Sequence, residues 1–504
     1  MNKSVRWTYF HHLAVGLCLL GFASAWLIAD QVLDQVPHLE DEVAYLFQAR
    51  VFSIGRAYTR AVFHPNCFFA PFVLDHQGRR FGKYPPGWPA LLALGVWMGQ
   101  PWWVNAACAA LTIALTFRLG CEIADAQTAG LAAALLLISP FTLLLSASLM
   151  SHTACLVFTT AFLWCFKRSL SAAPRVRIKW AWAGGVVLGF AFTIRPYSSV
   201  AIAVPAVGYA LWRWFDAVHQ TKSDEWRRLW WMGLGFAPLA LIVPLFNAIW
   251  TGDPLLSPYV LFWPYDRVGF GPGHGPLPEG NTLWVGLGEA VLVVARLANW
   301  LHGWPGLSLI FVVAGFLFRP RRFWDVFLAG VALALILAFV LYWTNGNLYG
   351  PRYTFEAASA LFILSAKGMR SSWQWVAAQT EKRWMRRGLA VALALLVAFD
   401  LFVYLPWQFR AYHGLFGITG RSKEILERAD LGRALVIVRT RERGWKDYAV
   451  AFSMNAPTLD GDVVYASECP PYTAQLIARF PGRAVYYFDG ETVLPLGERV
   501  SGSP

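Results

Sequence analysis

The stretch HLEDEVAYLFQARVFSIGR, His38–Arg56, carries three consecutive carboxylates, Glu40, Asp41 and Glu42. They follow, by about ten residues, an apolar run long enough to cross a bilayer. Within the stretch, Val43, Leu46, Phe47, Val51 and Ile54 recur at helical spacing. That spacing predicts an amphipathic helix lying on a membrane surface, with its N-terminus at the acids. Carboxylates at a helix start offset the macrodipole and satisfy free N–H groups, with no chemistry needed. The competing reading is that one of them reacts, and the rest of the chain bears on the choice.

The chain of 504 residues is 57% hydrophobic and 14% charged, with 26 Trp and 36 Phe. A soluble domain is about one quarter charged. Repeated apolar runs with aromatic flanks predict a polytopic α-helical membrane protein. Clear spans are expected at 10–29, 102–121, 127–147, 152–167, 180–196, 198–214, 229–250, 324–343, 353–369 and 388–406. The net charge of +13 comes largely from Lys and Arg clusters between these runs. With no nucleic-acid-binding motif present, nucleic acid is excluded as a partner.

Four loops are basic: Lys167–Lys179, Arg213–Arg228, Arg319–Arg322 and Lys367–Arg387. The positive-inside rule puts them and the N-terminus on the cytoplasmic side. The segment 86–99 (PGWPALLALGVWMG) must then lie along, or dip into, the outer surface. The segment 283–318 must cross an odd number of times, read here as one crossing at 304–318 after an interfacial helix. The sum is about eleven spans, N-terminus inside and C-terminus outside. Lys3, Arg6 and the ASA at Ala23–Ala25 imitate a signal peptide, but the apolar run continues to Ala29 and reads as an uncleaved first helix.

Two large outer loops result, 30–101 and about 251–303, the second rich in Gly and Pro (GFGPGHGPLPEGN). The membrane domain occupies 1–406. Beyond it, ALVIVR (434–439), VVYA (463–466) and AVYYF (484–488) read as strands, and PPYTAQLIARF (470–480) as a helix. They predict a small α/β domain over 407–504, outside the membrane. It has no glycine-rich nucleotide motif. Of seven cysteines, Cys18, Cys108, Cys121, Cys155 and Cys165 read as packing residues. Cys67 and Cys469 both fall on the outer side, where an oxidising compartment allows a disulfide that sequence alone does not establish.

LDHQGRRFGKYPPGW (74–88) reads as two short strands turning at Gln77-Gly78, then a helix from Pro86. Arg79, Arg80 and Lys83 therefore sit at the outer interface beside the acids. Single basic residues there snorkel or bind headgroups. Three beside carboxylates suit an anionic headgroup handled at this surface. The remaining outer turns add Ser151 and His152, Arg195 and Tyr197, Asp266 and Arg267, and Tyr349, Arg352, Tyr353 and Glu356. Most span centres are uncharged, Asp400 excepted, which argues against a proton-coupled transporter. An acid with bases at an outer interface points to transfer from a lipid phosphate. One carboxylate deprotonates an acceptor hydroxyl, and Arg or Lys stabilises charge growing on the phosphate.

DEVAYLFQAR, KYPPGWPALLALG, IRP and GPRY, in this order, resemble the GT-C superfamily of membrane glycosyltransferases. The bacterial relatives of protein O-mannosyltransferases and of the lipid A aminoarabinose transferase are the most similar branch. The resemblance covers about residues 1–370. It implies Asp41 as catalytic base with Glu42 as partner and Glu40 accessory. It implies Lys83 as donor-phosphate ligand, with Arg352 as a second. Arg79 and Arg80 join them by location. Tyr84, His152, Arg195, Tyr349 and Tyr353 are substrate-cavity candidates by side and position. The resemblance also implies a polyprenyl-phosphate sugar donor and inversion at the anomeric carbon. Some members bind a divalent cation near the acids and others do not, so metal is left open. The acceptor is an envelope glycan, lipid or protein, and the location a bacterial inner membrane with a periplasmic C-terminal domain. The alternatives are a transporter or flippase of lipid-linked sugars and a non-catalytic envelope assembly factor.

Overall fold

A computed structural model describes residues 3–171, 173–216, 222–318, 321–379, 383–440 and 444–496. Parts of all four basic loops used for the topology (172, 217–221, 319–320, 380–382) lie outside the described residues. Among the described residues six helices are long and apolar enough to cross a membrane, or seven if one bent pair counts as a single span. That pair, Ala126–Ile138 and Pro140–Ala147, bends by 59°. The bend falls where Pro140 has no N–H to continue the helix, and Ser139 caps the new one by accepting from the Thr142 N–H. Four further expected spans are helices of 20–22 residues that are less apolar: His152–Ser171, Pro174–Ile194, Pro196–Asp216 and Ala358–Gln379.

One expected span is corrected. The helix Leu283–Trp300, expected to be interfacial, is itself long and apolar enough to cross. The segment 304–318 contributes only the short helix Ile310–Leu317 after a break. Two polar residues of this helix have partners: Glu289 accepts from the Asn345 amide, and the Asn299 amide donates to Ala295 O at 2.7 Å. Leu283, Trp284, Val291 and Leu292 are exposed on its outer surface, as a lipid-facing helix requires. Gly303 lies at the break with φ +66°, and Asp400, the charge expected inside a span, packs against it.

The outer-loop elements follow the sequence closely. β1 (Thr59–Arg60), β2 (Val73–His76) and β3 (Arg79–Gly82) form an antiparallel sheet in the order β1-β3-β2. Gln77 and Gly78 turn the β2–β3 hairpin, both with positive φ (48° and 77°), as a two-residue hairpin turn demands. The next helix, Gly87–Trp97, has 11 residues, too short to cross.

The C-terminal region contains β4 (Ala434–Val438), β5 (Val463–Ser467), β6 (Ala484–Phe488) and β7 (Val493–Pro495), in the order β5-β4-β6-β7. β5, β4 and β6 are parallel, and β7 is antiparallel to β6. The three expected strands are present. The expected helix starts later, at Thr473, because Pro470–Tyr472 form a separate short turn. A further helix, Trp445–Met454, connects β4 to β5.

This unit changes the reading of the opening stretch. The helix Glu40–Ser53 forms as expected but is not a surface helix: nine of its 14 residues are buried. The C-terminal unit covers one side, with Phe47 against Phe452 at 6.0 Å and Arg50 Nη1 donating to Asn455 O at 3.0 Å. Cys67 and Cys469 form a disulfide that ties the first outer loop to this unit. The bond joins residues 402 positions apart, so cutting it frees a long chain segment. Cys67→Ser/Cys469→Ser is expected to make the region 407–504 several-fold more sensitive to limited proteolysis. Proteolysis at the wild-type rate would show that the non-covalent contacts suffice.

Candidate active site

The start of the helix Glu40–Ser53 is capped in an unexpected way. Leu39, at the N-cap, makes no side-chain cap. Glu42 instead turns back, and its Oε2 accepts from the His38 N–H at 3.1 Å. That leaves Asp41 free to face outward from the helix. The Tyr84 hydroxyl donates to Asp41 Oδ1 at 2.6 Å, and Arg352 Nη2 lies 3.5 Å from Oδ2.

Arg352 begins the short helix Arg352–Ala357. The turn before it is held by Tyr349 at φ +60°, whose N–H donates to the Tyr412 hydroxyl at 2.8 Å. Arg352 Nε and Nη1 are buried and have no hydrogen-bond partner among the described residues. Unpaired buried donors are costly, so these two point to an anion as their partner.

Lys83 follows the last residue of β3 and is nearly fully buried. Its Nζ lies 2.9 Å from Asp266 Oδ2. Four rings, Phe72, Tyr259, Phe262 and Trp263, surround it, with centroids 3.9–5.4 Å from Nζ. Burial pulls the ammonium below its usual range, and Asp266 opposes that shift. Asp266 Oδ1 also accepts from the Tyr342 hydroxyl (2.5 Å) and Trp343 Nε1 (3.0 Å).

Asp41, Lys83, Tyr84, Arg195, Arg352 and Tyr353 line a single cavity of about 630 Å³. Glu40 and Asp266 also face it, and Val243, Val260 and Phe339 form part of an apolar wall. Among the described residues no three His, Cys, Asp or Glu side chains gather into a metal-binding group.

Residues 85–249 match the family model described as dolichyl-phosphate-mannose-protein mannosyltransferase. No curated protein sequence matches the chain significantly. Among solved structures, ArnT from Cupriavidus metallidurans in the apo state aligns with TM-score 0.56 and 14% identity, over 96% of this chain and 93% of that one. The same protein bound to undecaprenyl phosphate gives 0.54 over the same shares. The chain therefore shares the fold of ArnT. The archaeal oligosaccharyltransferase AglB from Archaeoglobus fulgidus, in complex with an inhibitory peptide and a dolichol-phosphate, aligns with TM-score 0.52 and 14% identity. That alignment covers 88% of this chain but 64% of the longer archaeal one.

Not every expected residue reaches this cavity. Arg79 and Arg80, adjacent on β3, point to opposite faces of the sheet, and neither lines the cavity. Arg80 is buried under the C-terminal unit, paired with Asp75 at 2.6 Å and donating to Phe68 O. Arg79 reaches Ile249 O and lies over the Tyr58 ring. Both expected phosphate ligands are thus engaged away from the cavity. Glu42 also lies away from it, buried behind the helix start beside Tyr349. Tyr349 and His152 are fully buried behind the wall rather than on it. Asp266 was visible on its turn but given no role, and Tyr259, Trp263 and Tyr342 were missed. The signal for Trp263 and Asp266 was an aromatic run ending in charges, VLFWPYDR (Val260–Arg267), which Tyr259 directly precedes; Tyr342 lies far outside it.

Burial raises the Glu42 carboxyl from 4.5 to about 8. The folded state then holds a proton that the unfolded state releases. Stability therefore falls as pH rises from about 4.5 to about 8. Glu42→Gln keeps an acceptor for the His38 N–H and removes this titration. Its melting temperature is expected to fall less than that of the wild type between pH 5.5 and 8. Parallel curves would contradict the burial argument.

Proposed function

We propose that the protein transfers a sugar from a polyprenyl-phosphate donor to an acceptor hydroxyl of the cell envelope. The observation that carries this reading is the single cavity shared by Asp41, Lys83 and Arg352, residues from distant parts of the chain. Asp41 takes the proton from the acceptor hydroxyl, whose oxygen attacks the anomeric carbon from the face opposite the phosphate. The bond from that carbon to the phosphate oxygen breaks, and its electron pair leaves on polyprenyl phosphate. Arg352, with Nε and Nη1 unpaired, and Lys83 stabilise the charge that develops there. The undecaprenyl phosphate bound to ArnT and the dolichol-phosphate in complex with AglB support a polyprenyl-phosphate donor.

The same reading places the protein in a bacterial inner membrane, crossing about eleven times, with residues 1–406 as the catalytic membrane domain. The cavity then opens on the periplasmic side, and 407–504 form a periplasmic unit that braces the Asp41 helix. The test is incubation of purified protein with a panel of polyprenyl-phosphate sugars, nucleotide sugars and envelope extract, read by mass spectrometry. Consumption of a polyprenyl-phosphate sugar with gain of that sugar on an acceptor is expected. Use of nucleotide sugars alone would overturn the proposal.

A further inference from the structure

Behind the cavity wall lies a buried Glu–His pair that the transfer step does not use. Glu356 and His152 are both 0% exposed, and His152 Nδ1 lies 3.0 Å from Glu356 Oε1. The same oxygen is 2.8 Å from Arg195 Nε, and Arg195 lines the cavity. We infer that Glu356 is a positioning residue that aims Arg195 into the cavity as a second anion-binding guanidinium beside Arg352. The inference rests on the donor reading above and deepens it.

Three observations support it. First, the backbone gives Arg195 little guidance. It is the residue at which the helix Pro174–Ile194 ends, with φ −141° and ψ 83°, directly before Pro196. Its long side chain is oriented by what grips it. Glu356 grips Nε, which leaves the Nη1 and Nη2 pair for the cavity side. Two long hydrogen bonds accompany this grip, from Nε to Ser198 Oγ and from Nη1 to Ser151 Oγ, both at 3.4 Å. Second, one carboxylate oxygen serves two donors. A carboxylate only accepts, so His152 carries its proton on Nδ1 and orients the same oxygen that holds Arg195. Glu356 Oε2 and His152 Nε2 have no partner. Buried ion pairs are weak contributors to stability, and an apolar trio would pack at least as well. Third, the Tyr353 ring spaces the two arginines. The Arg195 guanidinium lies 5.3 Å from its centroid and that of Arg352 5.6 Å. Phe339 stacks on the same ring at 4.7 Å and fixes it. Two guanidinium groups braced on one aromatic ring suit the several oxygens of a phosphate.

The test is binding of polyprenyl phosphate to purified wild type and variants, followed by steady-state transfer. Arg195→Ala and Glu356→Gln are each expected to weaken binding about tenfold, the value of a charge-assisted hydrogen bond. The double variant should be no weaker than Arg195→Ala, because Glu356 acts through Arg195. Glu356→Asp should recover part of the loss, and the effect should fall on KM more than on kcat. A lower melting temperature for Glu356→Gln with wild-type affinity would show a merely structural role and overturn the inference. Should Glu356→Gln not fold, wild-type affinity in Arg195→Ala would overturn it equally. Absence of polyprenyl-phosphate binding in the wild type would instead overturn the donor reading, and with it this inference.

Discussion

Asp41→Asn is expected to lower transfer by about 10²–10⁴-fold, the usual contribution of a positioned general base. The size of the side chain is unchanged, and the Asn oxygen still accepts from the Tyr84 hydroxyl, now at 2.6 Å from Asp41 Oδ1. Asp41 is partly exposed to the cavity, so folding and melting temperature should stay near wild type. What is lost is the site to which the acceptor proton goes. The substitution also removes the carboxylate opposite Arg352, which frees that guanidinium for phosphate. Donor affinity should therefore be equal or tighter while turnover collapses. Loss of binding together with turnover would mean that Asp41 holds the donor rather than acting as base.

Arg352→Gln is expected to act on the other side of the same bond. Its unpaired Nε and Nη1 are buried donors placed for an anion, and their hydrogen bonds should strengthen as the phosphate takes up charge. Removing such a donor elsewhere costs about 10²–10³ in kcat. The variant should show a loss of that order in kcat, with a smaller rise in KM for the donor. Arg352 also balances Asp41, so Asp41→Asn/Arg352→Gln should lose less than the sum of the two single effects. A change in KM alone would make Arg352 a ground-state binder with no part in the chemical step.

Much of this site was legible because its signals are local and chemical. Gln77-Gly78 is a hairpin turn on residue type alone, and the strand after it leads to Lys83 and Tyr84 at the cavity. Asp41 and Arg352, far apart in the chain, were placed on one side by counting basic loops, and the structure sets them 3.5 Å apart. The failures have physical causes. Arg79 and Arg80 were taken together as a basic patch, although strand alternation sends them to opposite faces. Glu42 lies one residue from Asp41, a turn of about 100° on the helix, and which side faces the cavity depends on how the helix packs. The cover on that helix comes from Phe452 and Asn455, some four hundred residues away, and no local pattern announces it. The helix Leu283–Trp300 was misread for a similar reason: the partner of Glu289 is Asn345, beyond the next span.

The central claim is that this cavity breaks the bond between sugar and phosphate. The most direct measurement is a transfer reaction in detergent, where no sealed compartment exists and transport has no readout. A single polyprenyl-phosphate sugar and its acceptor are followed together by mass spectrometry. The account predicts that the acceptor gains one sugar for each polyprenyl phosphate released, and that Asp41→Asn stops both. Donor that binds tightly yet remains intact with wild-type protein and every acceptor tried would contradict it, and would favour a carrier or assembly factor for lipid-linked sugars.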